Sequence, residues 1–79
     1  MIHKNIEYVN PYKVNIEMLD GTMLHLYTPF EILIISYIPQ IKYKVRAYVE
    51  EVKLLSNKEV SFRIGRVWIS SNSCFIRGI

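Results

Sequence analysis

The sequence predicts an all-β fold, a small closed or strongly bent barrel of about five or six antiparallel strands in a single domain. Apolar and polar residues alternate with a period of two over several short segments, as in strands with one buried face. Turn signals rich in Gly, Pro, Asn and Ser separate these segments at short intervals. A chain of 79 residues has room for one core, and a barrel would hide the edges of its strands.

The first elements are a short strand and a hairpin. Residues 2–9 alternate and run into the turn signal Asn10-Pro11, which predicts a strand. Residues 13–28 read as a hairpin around an Asp-Gly pair. We prefer a three-residue loop, Leu19-Asp20-Gly21 with Gly21 in the left-handed conformation, because a two-residue loop would mix polar and apolar residues on both faces. The three-residue loop places Val14, Ile16, Leu24 and Leu26 on one face and Asn15, Glu17, Met23 and His25 on the other.

The segment 32–38, Ile-Leu-Ile-Ile-Ser-Tyr-Ile, would be apolar on both faces of a strand, and it ends at Pro39. A strand without a polar face must be covered on both sides, so we predict that this is the central strand of the core. Its second cover would be the curl of the barrel, a terminal segment or another copy of the protein. The candidate interface residues are Ile32, Ile34, Tyr37 and, in an exposed patch, Trp68.

Residues 41–49 alternate cleanly and predict an amphipathic strand with a basic stripe. One face of this strand would carry Ile41, Tyr43, Val45, Ala47 and Val49, and the other Lys42, Lys44, Arg46 and Tyr48.

Two structures remain open for residues 47–56. The apolar residues also match a helical spacing among good helix formers, so an α+β fold with a helix near 47–56 is an alternative. No capping residue precedes the segment, Ser56-Asn57-Lys58 reads as a hairpin turn, and alternation resumes from Val60. We favour a long hairpin with a bulge at Glu50-Glu51.

The last segments are short. Gly65 marks a kink or a close backbone approach before the apolar residues 67–69. Residues 70–73, Ser-Ser-Asn-Ser, predict a turn, and residues 74–76 form a final apolar segment whose type the pattern leaves open.

Charge is unevenly distributed along the chain. Residues 1–40 carry two Lys against three Glu and one Asp, a balance of −2, whereas residues 41–79 carry eight Lys and Arg against three Glu, a balance of +5. Clustered cations attract phosphates, although strands with a solvated face often carry such residues for solubility. The candidate residues for an anionic ligand are the cations Lys42, Lys44, Arg46, Arg63 and Arg66 and the stacking platform Tyr48.

Catalysis, a metal site and a cofactor are not expected. His3 and His25 have no Cys or second His at ligand spacing, and the three Gly residues are too isolated to form a phosphate loop. Cys74, beside Phe75 and Ile76, is typical of a small core residue. As the sole Cys it cannot close an intrachain disulfide, which favours a cytoplasmic location. No apolar run approaches the ~20 residues of a membrane span, so we expect no membrane insertion.

The second half of the chain resembles PilZ domains. The resemblance rests on residues 47–52 (Ala-Tyr-Val-Glu-Glu-Val), 57–65 (ending Phe-Arg-Ile-Gly) and 67–71 (Val-Trp-Ile-Ser-Ser). In that family such segments close a small six-stranded barrel. The family binds cyclic di-GMP through Arg-x-x-x-Arg and Asp/Asn-x-Ser-x-x-Gly motifs, whereas here no Arg precedes Arg46 and the aligned positions read Glu-x-Leu-x-x-Thr. The resemblance therefore implies a degenerate member that acts through protein contacts.

A second resemblance is to Sm-like RNA-binding proteins, in residues 14–21 (Val-Asn-Ile-Glu-Met-Leu-Asp-Gly) and 76–78 (Ile-Arg-Gly). The two motifs stand farther apart here than in that family.

Taken together, the sequence favours a small non-catalytic binding or regulatory module that acts through protein contacts, self-association included. The alternatives are an oligonucleotide- or cyclic-nucleotide-binding domain that uses the basic strand face, and a short phage or mobile-element protein that inhibits a host factor.

Overall fold

The computed structural model describes residues 3–41 and 45–77, which form nine β-strands in three antiparallel sheets. Sheet 1 has the strand order β1-β2-β3, sheet 2 the order β5-β4-β9, and sheet 3 the order β6-β7-β8. Two single-turn 3-10 helices cover Pro39–Ile41 and Ser71–Ser73. The strands are β1 (His3–Asn10), β2 (Lys13–Met18), β3 (Met23–Tyr27), β4 (Phe30–Ile34), β5 (Arg46–Val49), β6 (Glu51–Leu54), β7 (Val60–Ile64), β8 (Val67–Ser70) and β9 (Cys74–Ile76).

The all-β prediction is confirmed, but the barrel prediction is wrong. The described residues form three separate sheets that do not close into a barrel, and they contain nine strands where about five or six were expected. The difference arises because one predicted strand is divided between two sheets, because the hairpin at Gly65 was missed, and because the final segment, whose type was left open, forms β9. Among the described residues no helix is long and apolar enough to cross a membrane.

The predicted hairpin in sheet 1 is confirmed, including its loop length. Ile16 pairs with Leu24 and Val14 with Leu26, which is the register of a three-residue loop. The Met18 N–H donates to the Thr22 carbonyl oxygen at 2.8 Å. The loop closes through Gly21, whose φ of +89° lies in the left-handed region that glycine adopts without steric cost. Val14 and Ile16 are buried, as the sorting of side chains predicted.

The hairpin between β6 and β7 repeats the same loop. The Leu55 N–H donates to the Glu59 carbonyl oxygen at 2.9 Å, and the Lys58 N–H donates back to the Leu55 carbonyl oxygen at 2.9 Å. Lys58 occupies the left-handed position with φ of +71°. The Asn57 side chain accepts a hydrogen bond from the Glu59 N–H, as the Asp20 side chain does from the equivalent N–H in sheet 1.

The chain changes sheets at Glu50. β5 pairs with β4, whereas β6 pairs with β7, so residues 46–54 serve two sheets in succession. The alternative helix near 47–56 is therefore wrong, and the break falls at the predicted bulge. The predicted strand 41–49 is shorter than expected, because Ile41 ends a 3-10 helix and β5 begins at Arg46. Lys42, Tyr43 and Lys44 lie outside the described residues.

The apolar segment 32–38 supplies a central strand, as predicted, because β4 lies between β5 and β9. The strand ends at Ile34, however, and Ile35 and Tyr37 are exposed. The ladder with β9 goes no further than one bond from the Ile35 N–H to the Ser73 carbonyl oxygen, because residues 71–73 form a 3-10 helix.

The prediction for Gly65 is wrong. Ile64 pairs with Val67, so Gly65 and Arg66 form the two-residue loop of a hairpin between β7 and β8. Gly65 has a φ of +61°, which suits the first position of a type II′ turn. No other part of the chain approaches within 4 Å of a side chain built at this position, so close backbone approach does not explain the glycine.

One core joins the three sheets. The rings of Phe30 in sheet 2 and Phe62 in sheet 3 meet edge to face with centroids 5.4 Å apart. A backbone hydrogen bond of 2.7 Å from the Val52 N–H to the Pro11 carbonyl oxygen links sheet 3 to sheet 1. The buried apolar residues are Val14, Ile16, Met18, Phe30, Ile32, Ile41, Ala47, Val49, Val52, Val60, Phe62, Ile69, Cys74 and Ile76.

Candidate functional site

The outer face of sheet 2 groups exposed aromatic and aliphatic side chains on neighbouring strands. Strand register places Leu33 opposite Arg46 on one side and opposite Phe75 on the other. The next row along the sheet places Glu31 opposite Tyr48. We call this surface the sheet-2 face and define it as Glu31, Leu33, Ile35, Arg46, Tyr48, Phe75 and Arg77.

Strand alternation separates this face from the core. Ile32, Ala47 and Ile76 form the row that points inward, and all three are buried. Their neighbours on the other parity stay accessible, since Phe75 is 44% exposed and Tyr48 is 58% exposed. Ile35, just beyond the strand, is 54% exposed. Grouped aromatic and aliphatic side chains at this exposure are typical of interaction surfaces, whereas single exposed apolar residues are not.

The charges on the sheet-2 face are unequally matched. Arg77 Nε lies 3.3 Å from Glu31 Oε1, and the Arg77 backbone N–H donates to the Glu31 carbonyl oxygen at 2.9 Å. Arg46 has no hydrogen bond or ion pair with any of the described residues. The face therefore offers one unneutralised cation beside an apolar centre.

A groove of about 400 Å³ adjoins the sheet-2 face and shares Arg46 and Tyr48 with it. Volumes of this order hold small ligands or single large side chains. The groove lies between the 3-10 helix Pro39–Ile41, β5 and the turn that joins β7 to β8. Its lining comprises Gln40, Ile41, Arg46, Ala47, Tyr48, Glu50, Ile64, Gly65 and Val67.

Arg63 is engaged with the protein itself. Its Nε lies 3.0 Å from Glu51 Oε1, and its Nη1 lies 3.6 Å from Glu50 Oε1. Nη1 also donates to the Gly65 carbonyl oxygen at 2.7 Å, while the Gly65 N–H donates to Glu50 Oε2 at 3.1 Å. Neighbouring residues on a regular strand point to opposite faces, but the chain changes sheets here and both carboxylates reach one guanidinium. Arg63 thus has little capacity left for an anionic ligand.

The other residues proposed for an anionic ligand are dispersed. Arg66 is exposed at the tip of the turn between β7 and β8, and Lys42 and Lys44 lie outside the described residues. Within the described part of the chain, Arg46 and Tyr48 are thus the two candidates that share a face.

The interface candidates also separate. Ile32 is fully buried in the core, which corrects its assignment to an interface, and Ile34 is half-buried on the same inner parity, opposite Cys74. Tyr37 is 83% exposed beyond the end of β4. Trp68 lies on the outside of sheet 3, with the Lys53 ammonium 4.2 Å from its ring centroid.

Sequence reasoning missed Leu33, Ile35 and Phe75. The first two alternate with Ile32 and Ile34 along the same apolar segment and lie on the side of the strand that faces away from the core. The alternation of buried and exposed residues along β5 could have indicated the parity, had the pairing of β4 with β5 been known. Phe75 carried no such signal, because the type of segment 74–76 was left open.

A polar row crosses the outside of sheet 1. The Asn15 amide donates to Glu7 Oε1 at 3.1 Å, and its Oδ1 accepts from His25 Nδ1 at 2.7 Å.

Burial raises the pKa of the Cys74 thiol to about 12, so the neutral form is favoured. Within residues 3–41 and 45–77, no three His, Cys, Asp or Glu side chains are grouped to hold a metal ion.

No protein-family model, curated protein or solved structure matches this chain. The resemblances to PilZ and Sm-like domains therefore stay predictions from the sequence, and the functional argument rests on the surface geometry.

Proposed function

We propose that this chain is a small, non-catalytic binding module that docks a protein partner on the sheet-2 face. The observation that carries the proposal is the exposure of Ile35, Tyr48 and Phe75 beside Leu33, at the centre of a sheet whose opposite side is the core. The sequence required a second cover for this strand. The described strands form no barrel that could supply it, and β9 pairs with the edge of β4 and leaves its face open.

Charge favours a partner with acidic residues around an apolar centre. Arg46 is unneutralised on the face, and residues 41–79 carry a balance of +5. A second copy of the chain would place its own Arg46 against this face, and like charges at one contact disfavour self-association here. Aromatic residues and Arg dominate the energetics of protein interfaces, so Tyr48, Phe75 and Arg46 are the expected main contributors.

Selection from a displayed library of random peptides tests this function directly. We expect the selected peptides to combine aromatic or aliphatic residues with Asp or Glu. Fluorescence anisotropy with the labelled peptides should show that Phe75→Ser weakens binding roughly tenfold or more, because truncation of a central aromatic residue that dominates an interface costs about 2 kcal/mol. Arg46→Ser should weaken binding and reduce its dependence on salt.

Tyr12→Ser is the matched control, since Tyr12 is 60% exposed and lies between β1 and β2, away from the sheet-2 face. This variant should bind the peptides as the wild type does. Peptides that bind Phe75→Ser with unchanged affinity, or a library that yields none, would contradict the proposal.

A second candidate function, capture of an anionic ligand, has one observation in its favour. Arg46 and Tyr48 line the groove of about 400 Å³ together, which pairs a cation with a stacking surface. A labelled single-stranded oligonucleotide and cyclic di-GMP are the probes, each titrated at several salt concentrations. Salt-sensitive binding that Arg46→Ser abolishes and Arg66→Ser retains would place this function first.

A further inference from the structure

We propose that the free edge of β3 pairs antiparallel with the same edge of a second copy of this chain, so that two copies of sheet 1 form one six-stranded sheet. Among the described residues β3 pairs with β2 and with no other strand. An unpaired edge presents a row of N–H and C=O groups that another strand completes. This surface is distinct from the sheet-2 face, and the proposal stands without the proposed function.

The register fixes which groups point outward. Met18 and Thr22 are hydrogen-bonded to each other at one end of the β2–β3 pairing, and the Thr28 N–H donates to the Tyr12 carbonyl oxygen at 2.9 Å at the other end. Hydrogen-bonded pairs alternate along an antiparallel pair of strands, so Leu24 and Leu26 bond to β2. The N–H and C=O groups of Met23, His25 and Tyr27 consequently point away from β2.

Most of the other sheet edges carry features that oppose pairing; β8 is also an uncharged edge strand, but it is one residue shorter than β3. The pairing of β1 with β2 has irregularities on both sides of its centre, and β1 packs against β6. β9 is three residues long, and β5 packs against β7. β3 pairs in unbroken register over five residues and contains no Lys, Arg, Asp, Glu or Pro. Such edges are the ones prone to association.

The sequence of β3 is compatible with itself in one antiparallel register. With His25 opposite His25 of the second copy, every outward-pointing residue meets another, which gives about six hydrogen bonds between the copies. Met23 then lies opposite Tyr27, a favourable sulfur–aromatic pair. On the other side of the sheet, half-buried Leu24 meets half-buried Leu26.

The neighbouring strand brings no like charges together across the contact. Within one copy, Glu17 lies opposite Met23, and Lys13 lies opposite Tyr27 with its ammonium 5.3 Å from the ring centroid. The row across the dimer would therefore read Glu17, Met23, then Tyr27 and Lys13 of the second copy. The Glu17 carboxylate and the Lys13 ammonium of the second copy would lie three strand spacings apart, about 14 Å, so this row adds neither a direct ion pair nor a close repulsion.

Sedimentation velocity of the full chain over a hundredfold range of concentration tests the proposal. The wild type should shift from monomer to dimer as concentration rises. His25→Pro removes one outward N–H per copy and no backbone hydrogen bond to β2, although it also removes the side-chain bond to Asn15; it should raise the dissociation constant roughly tenfold or more. His25→Lys places like charges at the two-fold axis and should act in the same direction through a side chain that is exposed in the monomer.

Ser56→Lys is the matched control, because it adds the same charge in the exposed loop between β6 and β7. It should dimerise as the wild type does, and circular dichroism should confirm that all variants fold. A wild type that stays monomeric at every concentration overturns the proposal, and so does a dimer that persists in both His25 variants. A dimer that Phe75→Ser abolishes and His25→Lys retains overturns it in favour of contact through the sheet-2 face.

Discussion

At the scale of single residues, Gly21 and Lys58 occupy equivalent left-handed positions in two loops of the same length, with φ of +89° and +71°. A side chain in this conformation costs roughly 1–2 kcal/mol, whereas glycine loses more chain entropy on folding. Nothing lies within 4 Å of a side chain built at Gly21, so the difference between the two residues is one of backbone conformation alone.

Lys58→Gly should therefore raise the free energy of unfolding by about 0.5 kcal/mol, the strain that is relieved less the added entropy of the unfolded chain. Gly21→Ala should lower it by a similar amount, about 0.5 kcal/mol, because the same two terms act in the opposite direction. Urea unfolding of both variants measures these changes. If both variants changed the free energy of unfolding in the same direction, the two loops would not be equivalent.

The buried Cys74 thiol gives a prediction about pH. Its pKa rises from the ordinary 9.0 to about 12 on folding, because burial disfavours the thiolate. The unfolded chain therefore releases this proton first, and stability falls as pH rises from 9 towards 12.

Cys74→Ala lacks this thiol, so its stability deficit relative to the wild type should shrink as pH rises through that window. Denaturant titrations of both proteins at matched pH measure the difference, in which contributions common to the two proteins cancel. A deficit that stays constant with pH would contradict the assignment.

At the scale of elements, the brace around Arg63 holds the place where the chain changes sheets. Glu50 and Glu51 both bond Arg63, and Arg63 also bonds the turn at Gly65. The ion pairs join the start of β6, the end of β7 and the turn that leads to β8, so the bend is fixed from three sides.

Arg63→Gln should lower the free energy of unfolding by about 1–2 kcal/mol, because it leaves two neighbouring carboxylates without their cation. Arg66→Gln removes the same charge three residues away at an exposed position and should change stability by less than about 0.5 kcal/mol. Thermal unfolding of the two variants compares them. Similar losses in both would mean that net charge, and not the brace, sets the stability.

The elements differ in how far the sequence could predict them. The β2–β3 loop was predictable because Asp20-Gly21 and the sorting of side chains agree on one register. The β7–β8 turn was missed because Gly65-Arg66 is not one of the strong hairpin pairs, although glycine at the first loop position does permit a type II′ turn. The contact of Arg63 with both carboxylates depends on the pairing of β6 with β7 and on a bend at Glu50, and local pattern encodes neither.

At the scale of the whole molecule, three small sheets share one core and have little stability of their own. A sheet of three short strands needs another layer against its apolar face. Phe62, fully buried, meets Phe30 of sheet 2 from sheet 3, so it couples two sheets directly.

We therefore expect a single cooperative transition. Fluorescence of Trp68, the sole Trp of the chain, reports on sheet 3, whereas far-ultraviolet circular dichroism reports on all the strands. The two urea curves should coincide. Phe62→Ala should lower the free energy of unfolding measured by both probes by about 3–5 kcal/mol. A fluorescence transition that precedes the dichroism transition would instead identify sheet 3 as an independent unit.

The candidate site was the part least open to prediction. Arg46 and Tyr48 could be placed on one face from alternation within β5. Phe75 and Leu33 join them only through pairing between β4 and β9, over 40 residues apart in sequence. Such long-range register follows from the packing of the whole core, which no local period reveals.

That long separation also sets the order in which surfaces arise during folding. The hairpins β2–β3, β6–β7 and β7–β8 close short loops, and hairpins form in about 1–10 μs. Pairing of β4 with β9 must close a loop of some 40 residues. Closing this loop costs more chain entropy than closing a hairpin, so it is slower. We expect sheet 2 to be completed last, so that a partner of the sheet-2 face recognises the finished protein and ignores its partly folded forms.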